Sequence, residues 1–90
     1  MNYIYFKRPF DEARKEKGEN WGTCNYYFEA EPNGVVIRQL EIYSLGQVLK
    51  YDEENCEDQY GFLTDQPLDL MEFEPFKISN DQFKSAWKIK

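Results

Sequence analysis

Apolar and polar residues alternate with a period of two between residues 24 and 51, and this pattern predicts the main body of the fold. Tyr26, Phe28 and Ala30 alternate with Asn25, Tyr27, Glu29 and Glu31, as in a strand that buries one face. The run Glu31-Pro32-Asn33-Gly34-Val35 then turns the chain. Pro32 suits the first central position of a type I turn, and Gly34 supplies the positive φ that follows it. A three-residue loop with a bulge sets Glu31 opposite Val35 and Phe28 opposite Arg38. It gathers Tyr26, Phe28, Ala30, Val36, Leu40 and Ile42 on one face. A two-residue Asn-Gly loop would instead put Glu29 and Glu31 on the face of Val36, Leu40 and Ile42, so the three-residue loop is preferred. A second hairpin at Ser44-Leu45-Gly46-Gln47 pairs Ile42 with Leu49 and Leu40 with Tyr51.

The flanking segments complete this meander. Tyr3-Ile4-Tyr5-Phe6 is a β-favouring run that Pro9 is expected to end, and it joins the meander at an edge. Residues 11–22 are charged, rich in Gly and Asn, and without an apolar stripe, which predicts a solvated loop. Residues 52–59 also read as a loop, after which Tyr60-Gly61-Phe62-Leu63 returns to apolar side chains. Leu70 and Phe73 allow one helical turn, which Pro75 keeps short. The clearest helix is the last, over residues 80–88. Ser79 and Gln82 have capping-box spacing, Ile78 can staple against Phe83, and Phe83, Ala86 and Trp87 form one stripe. The expected fold is α+β: one domain over residues 1–90, with a 3–5-stranded antiparallel meander packed by one C-terminal helix.

Composition supports folding and narrows the chemistry. Ninety residues make one core, and 7 Phe, 7 Tyr and 2 Trp give it enough aromatic surface to bury. No apolar run approaches the roughly 18–20 residues that span a bilayer, and the opening residues lack the pattern of a signal peptide. A cytoplasmic location is expected, with Cys24 and Cys56 as reduced thiols. The net charge is −6, unevenly placed. Asp52, Glu53, Glu54, Glu57, Asp58, Asp65, Asp69, Glu72 and Glu74 lie between Tyr51 and Phe76 with no Lys or Arg. That segment carries −9, while the remainder carries +3, from 11 basic and 8 acidic residues. Such a segment repels nucleic acid and anionic membranes and favours a basic partner.

The chain has no histidine, which removes the commonest general base and metal ligand. No nucleophile elbow, P-loop or dinucleotide fingerprint is present. Two cysteines cannot supply a zinc site, and the EF-hand spacing from Asp52 fails because Glu57 stands where glycine is required. The reading is therefore of a protein that is not an enzyme and has no catalytic residue, cofactor or metal. It binds instead, with Asp52, Glu53, Glu54, Glu57, Asp58, Asp65 and Asp69 as candidate contacts around Tyr60 and Phe62 as aromatic anchors. Arg38 breaks the strand pattern on the expected core face. Its sharper reading is a clamp on an acid of the 52–69 segment, and its plainer one a snorkelling edge residue.

Residues 26–87 resemble a small, uncharacterised bacterial domain family. The likeness is carried by Val36-Ile37-Arg38-Gln39-Leu40-Glu41-Ile42-Tyr43, Lys50-Tyr51-Asp52, Tyr60-Gly61-Phe62-Leu63-Thr64-Asp65-Gln66-Pro67-Leu68, and Ile78-Ser79 with Phe83 and Trp87. Leu45 departs from it, since a polar residue is commoner in such a turn. That family has no established activity. In size and charge the chain also resembles immunity partners of bacterial toxins, including those of contact-dependent inhibition. This likeness implies an inhibitor that covers the active surface of a basic toxin. The competing expectations are a regulatory or adaptor domain with a housekeeping partner, and a weak cation-binding protein.

Overall fold

A computed structural model describes residues 2–10 and 21–89. The loop expected over residues 11–22 therefore lies mostly outside the described residues. Among the described residues five strands form one antiparallel sheet: β1 (Ile4–Phe10), β2 (Cys24–Ala30), β3 (Val36–Tyr43), β4 (Val48–Asp52) and β5 (Lys77–Ile78). They are ordered β4-β3-β2-β1-β5, so the first four make a meander and β5 returns to its far edge. Among the described residues two α-helices complete the fold, α1 (Leu70–Phe73) and α2 (Asn80–Trp87). The expected α+β architecture with a C-terminal helix on an antiparallel sheet is the one observed. β1 continues through Pro9 rather than ending there. β5 pairs only with Tyr5 and Phe6, so at Pro9 the strand is an edge, where a residue without an N–H is tolerated.

The first hairpin has the three-residue loop, but its register holds for only one step. Glu31 N–H donates to the Val35 carbonyl at 2.8 Å, Gly34 N–H to the Glu31 carbonyl at 2.8 Å, and Gly34 has φ 95°. Ala30 pairs with Val36, yet Glu29 pairs with Arg38, so a bulge leaves Ile37 as an extra residue on β3. Phe28 consequently faces Gln39 instead of Arg38, and Leu40 and Ile42 move to the opposite face from Phe28. The second hairpin, by contrast, is one residue tighter than expected. Tyr43 N–H donates to the Gln47 carbonyl, Gly46 has φ 106°, and Ile42 and Leu40 pair with Val48 and Lys50. A three-residue loop closes both hairpins for the same reason, a glycine free to take the left-handed position.

These shifts give the sheet two covered faces. On one, Phe6, Phe28 and Val36 pack with Phe73 of α1, while Cys24, Tyr43, Leu49 and Tyr51 form an adjoining cluster. The other carries Tyr5, Tyr27, Glu29, Arg38 and Leu40 and is covered by α2. Phe83 lies 5.4 Å from the Tyr5 ring, and the Arg38 guanidinium lies 5.1 Å from Phe83 and 5.0 Å from Trp87. α2 begins as its sequence requires: Ser79 Oγ accepts the Gln82 N–H, and Gln82 Oε1 accepts the Ser79 N–H. α1 is a single turn capped by Asp69, and a 3₁₀ turn carries the chain on through Pro75.

One cross-strand row ties the helix-covered face together. Asp52, Arg38, Glu29, Tyr5 and Ile78 are successive register partners across all five strands. Glu29 is only 4% exposed, and it accepts a short charge-assisted hydrogen bond from Arg38 Nε. Tyr5 also hydrogen-bonds Glu29, and burial together with that bond raises its hydroxyl above the usual phenol range. The bond to Glu29 likewise raises Arg38 above its ordinary value, so the guanidinium stays charged. The anticipated objection to placing Glu29 beside Leu40 is met by this pairing.

Candidate partner-binding site

The acidic segment leaves β4 and crosses the first face as a strap. Its centre is a small hairpin: Asp58 N–H donates to the Gly61 carbonyl at 2.9 Å and Leu63 N–H to the Cys56 carbonyl at 2.7 Å. Glu57 and Phe62 are bridge partners between these two bonds. They therefore form a non-hydrogen-bonded antiparallel pair, the type in which side chains approach most closely. Leu63 packs against both core clusters, and Tyr60 joins the cluster of Tyr43, Leu49 and Tyr51. Gly61 passes over Tyr51, whose hydroxyl would be 3.2 Å from any added Cβ. Phe62 faces outward and is 59% exposed.

The sheet beneath the strap is polar, which the strand pattern did not predict. Gln39 and Glu41 are buried there, on positions that read as a solvent face. Gln39 Nε2 donates to the Phe62 carbonyl at 3.3 Å, and Gln39 Oε1 accepts the Thr64 N–H at 3.0 Å. One side-chain amide thus pairs with the strap backbone as a strand would. Gln39 also donates to Glu41 Oε2 at 3.0 Å, and Tyr43 donates its hydroxyl to Glu41 Oε1 at 2.6 Å. Further along, Leu68 N–H donates to the Gly34 carbonyl at 2.9 Å. No other residue fits at Gly34, since a Cβ would lie 2.7 Å from the Leu68 carbonyl oxygen.

The candidate contacts divide into two groups. Asp52, Asp58 and Asp69 organise local turns. Asp52 Oδ1 accepts the N–H groups of Glu54 and Asn55, and Asp69 Oδ1 those of Met71 and Glu72. Asp58 Oδ1 accepts the Tyr60 and Gly61 N–H groups and the Tyr51 hydroxyl. Their spacing ahead of two or three free N–H groups is the sequence signal for such turns. Glu53, Glu54, Glu57 and Asp65 are exposed beside them. Of the two aromatics, Tyr60 stacks edge-on with Trp21 at 5.0 Å and belongs to the core, while Phe62 presents its ring to solvent. Arg38 lies on the other face, with its ion pair to Glu29; Asp52 is its cross-strand neighbour. Glu72 pairs with Arg8 at 3.3 Å, and the Arg8 guanidinium lies 4.9–5.5 Å from the rings of Phe10, Phe73 and Phe76.

Cys24 is buried and Cys56 exposed on the strap, and neither is in a disulfide. Among the described residues no group of three ligand-type side chains is placed to hold a metal ion, and no helix is long and apolar enough to cross a membrane. The chain matches no family model, no curated protein and no solved structure.

Proposed function

We propose that this chain is an acidic protein-binding module whose strap covers a basic surface of a partner protein, in the manner of an immunity protein that neutralises a bacterial toxin. One observation carries this reading. Exposed carboxylates at Glu53, Glu54, Glu57 and Asp65 share a strap with an exposed phenylalanine, and that strap is fixed to the sheet by Gln39, Asp58 and Gly34. Acids of one sign raise the rate of encounter with a basic surface, and an apolar anchor slows departure. A strap already held in shape has little ordering cost left to meet on binding. The toxin-inhibitor part of the proposal adds to that geometry the likeness in size and charge to immunity proteins of bacterial toxins.

The test is capture from the native cells with tagged protein, at low and high salt. The comparison protein carries Glu53→Gln, Glu54→Gln, Glu57→Gln and Asp65→Asn, which leave the turn-organising aspartates in place. The expected result is one basic protein, retained at low salt, released at high salt and absent with the neutralised variant. Production of that protein alone should arrest growth, and co-production with this chain should restore it. A partner retained equally by the neutralised variant would refute the strap as the binding surface, and a harmless partner would refute the immunity role.

A further inference from the structure

We infer that Phe62 and Glu57 form a single anchor for a guanidinium group, so that the partner surface met by the strap is arginine-bearing rather than merely basic. The inference rests on the proposed basic-partner reading and sharpens it. Its first support is the hairpin geometry. As a non-hydrogen-bonded cross-strand pair, Glu57 and Phe62 project to the same side of the strap and stand beside one another. Both are exposed.

The second support is the chain's own use of arginine. Arg38 sits between the carboxylate of Glu29 and the rings of Phe83 and Trp87. Arg8 sits between the carboxylate of Glu72 and the rings of Phe10, Phe73 and Phe76. Each combines a carboxylate that pairs with the guanidinium and aromatic rings about 5 Å from its centre. Glu57 and Phe62 present the same two groups outward. A lysine ammonium is a compact, strongly hydrated charge and makes less of a ring beside a carboxylate than a planar guanidinium does. The pair therefore discriminates between the two cations, whereas scattered surface carboxylates do not.

The test uses two acetylated, amidated probe peptides, Gly-Arg-Gly-Arg-Gly and Gly-Lys-Gly-Lys-Gly, titrated into the full chain at low salt and followed by NMR. The wild-type protein should bind the arginine peptide roughly two- to fivefold more tightly than the lysine peptide, with shifts in the Phe62 ring signals. Phe62→Leu, which keeps the apolar volume but removes the ring, and Glu57→Gln should each abolish that preference. Both sites are exposed, so unchanged melting temperatures will confirm that the variants are folded. Equal binding of the two peptides by wild type, or a preference that persists in Phe62→Leu, overturns the anchor and leaves the basic-partner reading standing on charge alone. Binding of neither peptide overturns both.

Discussion

Replacing Arg38 with alanine tests the cross-strand row directly. Glu29 has a side chain only 5% exposed, and its short bond to Arg38 Nε is the main compensation for its charge. Removing one member of a buried ion pair costs about 3–5 kcal/mol, because the surviving charge stays buried without its partner. The Arg38 side chain is 28% exposed, so water can reach part of the site, and the lower end of that range applies. Lost stacking on Phe83 and Trp87 adds about 0.5–1 kcal/mol. We expect a loss of about 3.5–4 kcal/mol, which for a domain of this size lowers Tm by about 14–32 °C. Urea unfolding followed by circular dichroism should show an earlier midpoint with an unchanged slope. The double variant Arg38→Met with Glu29→Gln removes both charges and keeps an acceptor for the Tyr5 hydroxyl, so it should recover most of the loss. A single variant that loses under about 1 kcal/mol, or a double variant no better than the single, would refute the reasoning.

Two further perturbations separate the faces of the sheet. Tyr5 has its hydroxyl raised by burial and by its bond to Glu29, so the folded state holds that proton more tightly than the unfolded chain does. The resulting stabilisation is complete below the usual phenol range and is lost as pH rises past about 10. Tyr5→Phe should therefore flatten the fall in stability above that pH, and identical alkaline limbs for the two proteins would contradict it. Gln39→Leu leaves the Phe62 carbonyl, the Thr64 N–H and Glu41 each short of a partner, at a cost of about 2–3 kcal/mol. Hydrogen exchange at Thr64 should accelerate well before the sheet amides do, and unchanged Thr64 protection would show that Gln39 does not hold the strap.

What could be read from the chain followed from local chemistry, and what could not depended on distant partners. The capping box at Ser79 and Gln82 and the three-residue loop around Gly34 were legible because each is decided within a few residues. The bulge at Ile37 was not. Nothing local distinguishes an unpaired isoleucine from a paired one, and the bulge is settled by burial on both faces of β3. Glu29 looked like a solvent-facing residue because its partners, Arg38 and Tyr5, come from two other strands. Gln39 and Glu41 looked exposed because polar residues alternating with Leu40 and Ile42 imply one wet face. That inference fails when the second face is covered by a strap whose backbone needs hydrogen bonds. At the candidate site, the acids were legible as a charge, and their division into turn builders and exposed contacts was not.

The bulge at Ile37 also determines how charge is distributed. Had the hairpin register continued unbroken from Val35, Arg38 would have shared the face of Phe28, under the acidic strap, with Leu40 and Ile42 beside it. An arginine there would have neutralised part of the strap from below, and an apolar floor would have left the Phe62 carbonyl and Thr64 N–H without partners. One extra residue reverses both outcomes. Arg38 passes to the helix-covered face, where Glu29 and the rings of Phe83 and Trp87 hold it. Gln39 and Glu41 take the floor of the strap, bonding its backbone and the Tyr43 hydroxyl. The strap is thus fixed by a neutral amide, and Arg38 does not draw on the acids at its surface. Deleting Ile37 should remove the bulge while Glu29 stays opposite Arg38 and Phe28 opposite Gln39, because the extra residue is the one taken away. If the reasoning holds, Thr64 keeps its protection and the surface its affinity for a basic partner, with the loop at Pro32-Asn33-Gly34 intact; loss of either would show that the face given to Arg38 and Gln39 is not what the extra residue decides.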